Sequence, residues 1–236
     1  MIKTAVIIAG GASTRLRPLT DDMPKTLIPV NGKPILHWIL IWLEKYGIEH
    51  VVIGVAYKKE KIYDFIKSSA GSYNMKMDVS EHTVEGGTAQ AFKLAIDRFV
   101  KDEDFIAMNG DELTNLDINR LYETHKKSSV LATIAVAPFH CRFSVVDIDE
   151  NGRVVGFERD KKLQDAPVHI GINVFNRKVL ELIPQTGNIE EIVFKRLADE
   201  KRMSAYMLAQ NEQWMSVNTQ KDLDEANSLL TSWLSS

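Results

Sequence analysis

Residues 4–9 (TAVIIA) form a short apolar run, rich in β-branched side chains and stopped by Gly10-Gly11. A run of that length and continuity predicts a strand buried on both faces, as in a parallel sheet. A polar loop follows, to about Lys33. Apolar residues then recur at helical spacing over 35–46, with Pro34 at a helix start and Gly47 at its stop. Residues 50–55 (HVVIGV) predict a second strand and 58–67 an amphipathic helix. The alternation continues with a strand near 75–79, a helix over 88–100 and a strand over 104–108 that ends in Asn109-Gly110-Asp111. A helix over 116–127 and a strand over 130–137 complete it. Strands alternating with helices predict parallel βαβ units and a three-layer α/β/α, Rossmann-like architecture around a mixed, mostly parallel sheet.

After Pro138 the pattern changes. Residues 144–149 and 154–158 flank Glu150-Asn151-Gly152, and Asn-Gly between strand-like runs predicts a hairpin. Residues 170–175 return to a strand, helical segments are expected near 178–183 and 189–200, and a last helix runs from Gln220. No repeat, low-complexity tract or linker interrupts the chain. The expected organisation is a single domain over 1–236 with a small β-rich insertion at about 138–170. Trp38 and Trp42, one helical turn apart in an apolar helix, are expected to pack in the core.

Composition narrows the function. A chain of 236 residues buries roughly 70–75% of its unfolded surface and needs no staple. Its net charge of −3 argues against a nucleic-acid or anionic-membrane partner, so any phosphate-binding charge must be local. The single cysteine, Cys141, allows no internal disulfide and suits a reducing compartment. No segment reaches the roughly 18 apolar residues of a membrane span, and the apolar run after Lys3 is too short for a signal peptide. A cytoplasmic protein is expected. The C-terminal LLTSWLSS is open to packing on the domain or on a second copy, which leaves a homo-oligomer open.

The chemistry-bearing stretch is the loop after the first strand: Gly10-Gly11-Ala12-Ser13-Thr14-Arg15-Leu16-Arg17-Pro18-Leu19-Thr20, then Pro24-Lys25. In open α/β sheets ligands bind outside the carboxyl ends of the strands. Glycines there let backbone N–H groups approach phosphate oxygens. Arg15 adds a planar fork and Lys25 a compact point charge. A dinucleotide fingerprint fits badly, because the second glycine comes one position early and the third is missing; a P-loop fails because Gly32-Lys33 is followed by Pro34. Asp111, after another strand, reads equally as an Asx turn at a strand end or as a carboxylate placed to hold Mg²⁺ against phosphate oxygens.

On these residues the chain resembles a known family. GGASTRLRPLTDDMPKTLIPVNGKPIL is similar to the GGxGTRLxPLTxxxPKxLxPVxxKP signature of the nucleotidyltransferases that make nucleotide sugars, the sugar-1-phosphate nucleotidylyltransferases. Gly87-Thr88-Ala89-Gln90-Ala91 resembles the family's base-contacting segment, and Asn109-Gly110-Asp111 its metal site. Residues 169–175 (HIGINVF) resemble N-x-G-I-Y-x-F near the sugar, and 214–219 (WMSVNT) resemble W-x-D-[IV]-G-T.

The resemblance implies a GT-A-like fold and an Mg²⁺-dependent enzyme joining an NTP to a sugar 1-phosphate with release of pyrophosphate. It assigns Gly10, Gly11, Ala12, Thr14, Arg15, Gly87, Thr88 and Gln90 to the nucleotide. Lys25, Asn109, Glu158 and Gly171 fall to the sugar phosphate, and Asp111 to the metal. Arg15 would stabilise the β,γ-phosphates, Lys25 would hold the sugar phosphate or α-phosphate, and Glu158 would orient sugar hydroxyls. The lysine that follows it in the family is matched by either Arg159 or Lys161.

Two departures stand out. Ser216 replaces the aspartate that supplies the family's second metal carboxylate, and Asn218 replaces a glycine. Three explanations stay open: metal held by Asp111, phosphates and water; a carboxylate recruited from elsewhere; or a module that binds nucleotides with little turnover. His169 for Asn, Asn173 for Tyr and Phe143-Ser144 for Tyr-Gly fall on the sugar side. A nicotinamide-dependent oxidoreductase and a transferase acting on a non-sugar phosphate are the other readings carried forward.

Overall fold

The computed structural model describes residues 1–11, 13–141 and 143–233. Four parallel strands form one half of a seven-stranded sheet: β1 (Thr4–Ile8), β2 (His50–Val55), β3 (Lys76–Glu81) and β4 (Asp104–Asn109). Three more complete it: β6 (Ala132–His140), β9 (Lys162–Asn176) and β10 (Met203–Met207). The order is β10-β6-β9-β4-β1-β2-β3, and only β9 runs antiparallel to its neighbours.

The apolar runs are continuous because both faces of the sheet are covered. Along β1, Ala5 and Ile7 join one core and Val6 the other; along β2, Val51 and Ile53 face the first and Val52 the second. Helix α1 (Ile35–Lys45) packs over the first core with α4 (Ile118–Ser128) and α6 (Gln220–Trp233), which contribute Leu36, Leu121 and Leu230. Helix α2 (Lys59–Ser68) adds Ile62. Helix α3 (Gly87–Phe99), with Phe92 and Ile96, covers the second beside Phe105 and Phe175. Trp42 is buried in the first core and donates its indole N–H to Leu116 O at 2.9 Å, and Trp38 packs against the same core.

The second half of the chain departs from the predicted elements. The strand expected over 170–175 begins at Lys162, and its register shifts between Leu163 and Pro167 and again between His169 and Asn173. The helix expected near 178–183 is a 3-10 turn over Arg177–Leu182. The helix expected over 189–200 opens as an i→i+5 turn over Glu190–Phe194 before the short α5 (Lys195–Asp199). A three-residue ladder had no counterpart in the pattern: β5 (Glu112–Thr114) pairs antiparallel with β11 (Trp214–Ser216), setting Ser216 opposite Glu112. The hairpin is present as β7 (Ser144–Ile148) and β8 (Val154–Arg159), a separate two-stranded sheet with Phe157 and Ile148 exposed.

Candidate functional site

The chain leaves β1 toward β2 and β3 on one side and reaches β4 on the other, so the strand order reverses between β1 and β4. A crevice at such a switch point, beyond the carboxyl ends of the strands, is where open α/β sheets bind ligands. Gly10-Gly11 follows β1 and Asn109-Gly110-Asp111 closes β4, joined by Gly110 N–H donating to Ile8 O at 2.8 Å.

The loop after β1 is held in shape by its own side chains and by Tyr57. Leu16 is buried, and Thr20 Oγ1 donates to Ser13 O at 3.0 Å. The Tyr57 hydroxyl donates to the carbonyls of Thr20 and Asp21, both at 3.0 Å. A Cβ on Gly10 would collide with the His82 imidazole and lie 2.9 Å from Ala56 N, so only glycine lets the loop pass there. Burial lowers the His82 pKa, and its buried Nε2 has no hydrogen-bond partner among the described residues. Tyr57 and His82 carried no motif; Gly10 was the only sequence trace of His82. Thr14 and Arg15 lie exposed on the 3-10 turn Thr14–Leu16. Ala12 falls outside the described residues.

Arg15, Lys25 and Asp111 come together. Lys25 is 8% exposed at its side chain and pairs with Asp111, itself 22% exposed. Asn218 Oδ1 accepts from Lys25 Nζ at 2.8 Å and from Arg15 Nη2 at 3.1 Å. Asn218 Nδ2 donates to Ser216 Oγ at 2.7 Å, and Ser216 Oγ donates to Glu112 Oε1 at 3.3 Å. Glu112 Oε2 accepts the Trp214 indole N–H at 2.7 Å. Burial pushes the Glu112 carboxyl well above the usual carboxylate range, and the neighbouring Asp111 charge adds to it.

The same group reaches Gly171, expected from the resemblance to lie near the sugar. Its φ of +72° is left-handed, and a Cβ there would lie 2.7 Å from Asn109 Nδ2 and 2.9 Å from Glu112 Oε1. Gly171→Ala is expected to cost about 1–2 kcal/mol from the backbone alone, a loss of several degrees in Tm on the roughly 2–4 °C per kcal/mol of a chain this size. Thermal unfolding that leaves Tm unchanged would contradict this account of Gly171. A cleft of about 860 Å³ opens beside these residues, lined by Arg15, Pro138, His140, His169, Ser216 and Asn218 among others.

Two other groups of residues named from the sequence have partners of their own. The Gly87-Thr88-Gln90 segment opens α3 and is tied down locally. Thr88 Oγ1 accepts from Ile189 N at 2.9 Å, Gln90 Oε1 accepts from Thr83 N at 2.9 Å, and Gly87 abuts the Gly187 carbonyl. Glu158 is exposed on β8 and pairs at 3.3 Å with Lys161. His169 Nε2 meets Asn173 Oδ1 at 2.9 Å and its Nδ1 meets Glu190 Oε1 at 3.2 Å, so two of the departures expected from the resemblance contact each other.

Comparison with known proteins identifies the family. The nucleotidyl transferase family model matches residues 4–232. The catalytic subunit beta of mannose-1-phosphate guanylyltransferase of Drosophila pseudoobscura pseudoobscura is 30% identical over 223 residues, which are 92% of this chain and 60% of the relative. A probable glucose-1-phosphate cytidylyltransferase of Bacillus subtilis is 29% identical over 246 residues, 95% of each chain. The crystal structure of HddC from Yersinia pseudotuberculosis superposes with a TM-score of 0.75 at 23% identity, covering 97% of this chain and 100% of that one, a likeness of fold. The chain thus spans about three fifths of the Drosophila relative and nearly all of the Bacillus one. With a family match over almost its whole length and the signature residues gathered at the switch point, this chain belongs to the nucleotidyl transferase family, in company with sugar-1-phosphate nucleotidylyltransferases.

Proposed function

We propose that this chain transfers a nucleoside monophosphate from an NTP to a sugar 1-phosphate, giving an NDP-sugar and pyrophosphate. The observation that carries this reading is the convergence of Arg15, Lys25 and Asp111 at the switch point of the sheet. A sugar-phosphate oxygen attacks the α-phosphorus in line; the bond to the β-phosphate bridging oxygen breaks, and pyrophosphate leaves. Such a displacement needs positioning and charge neutralisation more than covalent chemistry. Arg15 grips the β,γ-phosphates, Lys25 holds the α- or sugar phosphate, and Gly10, Gly11 and Thr14 line the triphosphate. Gly87, Thr88 and Gln90 shape the base side, while Asn109, Gly171 and Glu158 belong to the sugar side.

The residues suit Mg²⁺. Asp111 is a part-exposed carboxylate paired with Lys25, and among the described residues no group of three or more His, Cys, Asp and Glu is arranged for a metal. Mg²⁺ takes one or two protein carboxylates and fills its shell with phosphate oxygens and water, so Asp111 would hold it. When bound, it would neutralise charge on the departing pyrophosphate. Among the described residues no helix is long and apolar enough to cross a membrane, and we take the cytoplasm, from the single cysteine, as the working compartment. The binding-only reading finds no support in the family or its named relatives.

The test is pyrophosphate release from five NTPs crossed with common sugar 1-phosphates, in Mg²⁺ and in EDTA. Metal-dependent release with one pairing is expected. Silence across the panel, with an NTP still raising Tm, would overturn the transferase reading in favour of a binding module.

A further inference from the structure

Arg15 and Lys25 are both donors only, so the Asn218 atom facing them must be its carbonyl oxygen. That fixes the other end of the amide. Nδ2 then donates to Ser216 Oγ at 2.7 Å, and the Ser216 proton goes to Glu112 Oε1 at 3.3 Å. Every bond in the run from Glu112 through Ser216 and Asn218 to the two cations has a single consistent direction. The backbone of the loop is held as well, because Asp222 Oδ2 accepts from Asn218 N at 3.0 Å and from Thr219 N at 2.9 Å.

Without an acceptor between them, two cations repel and the exposed Arg15 side chain samples many rotamers, so gripping a phosphate would cost ordering free energy. One carbonyl oxygen shared between a guanidinium and an ammonium brings them to a common point. Each keeps further N–H groups for an incoming ligand, since Arg15 and Lys25 have more donors than Asn218 uses.

We propose that Asn218, its amide oriented by Ser216, is a positioning residue that presets Arg15 and Lys25 as one phosphate-gripping pair. On this account the serine and asparagine at 216 and 218 act together as a neutral relay, anchored on the buried carboxyl group of Glu112. The proposal rests on the transferase reading, in which Arg15 and Lys25 bind phosphates.

Its test is titration calorimetry with inorganic pyrophosphate on the full chain, with Tm recorded for each variant. Asn218→Ala is expected to weaken pyrophosphate binding about tenfold, a loss of about 1.4 kcal/mol, within the range of a hydrogen bond to a charged group. The steady-state counterpart is a raised KM for NTP with a smaller change in kcat. Ser216→Ala frees the amide to rotate and is expected to act in the same direction. The double variant is expected to be no worse than Asn218→Ala alone, as for two parts of one relay. Should Arg15→Ala weaken pyrophosphate binding while Asn218→Ala leaves it unchanged at an unchanged Tm, the positioning role is wrong and the transferase reading stands. If Arg15→Ala also leaves binding unchanged, the phosphate-site reading itself fails. Additive losses from the two single variants would overturn the relay.

Discussion

Arg15→Ala is expected to lower turnover by about two to three orders of magnitude, the scale on which a single preorganised donor to developing charge is felt. It should do so without unfolding the protein. Arg15 lies exposed on the loop, whereas that loop is anchored by buried Leu16, by the Thr20–Ser13 bond and by the Tyr57 hydroxyl. Tm should therefore move by no more than about 2 °C, since exposed substitutions away from such anchors stay within about 0.5 kcal/mol. Lys25 offers a less clean test. Its ammonium is nearly buried against Asp111, and removing it strands a carboxylate, so Lys25→Ala loses stability along with activity. Arg15→Lys keeps the charge but not the planar fork and should fall between wild type and alanine. Steady-state pyrophosphate release beside a melting curve decides the matter: near-normal turnover in Arg15→Ala would sink the phosphate-loop assignment.

What the sequence disclosed follows the range of the forces involved. The β1 run and its glycine stop were readable because burial on both faces demands unbroken apolar residues, and residues 5, 6 and 7 do alternate between two cores. Arg15, Lys25 and Asp111 were readable as a group because their charges sit in loops next to strand ends, and the structure brings the three together. The long antiparallel β9 was only half visible, since its first residues, Lys162 to Asp165, lack an apolar run. The β5–β11 ladder was invisible, because three residues are too few to show a period and their partners lie about a hundred positions away. That ladder is what makes Glu112 part of the site, one position after a residue the motif had already picked out. Asn218 showed only as a departure from a glycine. Its bonds to Arg15 and Lys25 span 203 and 193 residues, and no local pattern encodes contacts of that kind.

Ser216→Asp, which supplies the aspartate expected from the family resemblance, is expected to destabilise the protein in the absence of metal. Residue 216 stands directly opposite Glu112, and its hydroxyl is already 3.3 Å from Glu112 Oε1. Glu112 is buried and disfavours ionisation, first through desolvation and then through the Asp111 charge. A second acid facing it must either hold a proton at a raised pKa or carry its charge beside Asp111 and the desolvated Glu112, at a cost of about 3 kcal/mol. For a chain of this length that corresponds to a fall in Tm of about 6–12 °C in EDTA. A divalent cation bound between the acids would reverse part of the loss, so Tm should rise again with millimolar Mg²⁺ or Mn²⁺, an effect the wild type should show far less. Turnover measured on the same samples separates two histories of the site. A large gain in Mg²⁺ would mean that Ser216 marks a degenerate metal site. A loss would mean that the neutral serine is needed where it stands, holding the Asn218 amide toward Arg15 and Lys25. An unchanged Tm in EDTA would contradict the apposition of residues 112 and 216 itself, and with it the register of the β5–β11 ladder.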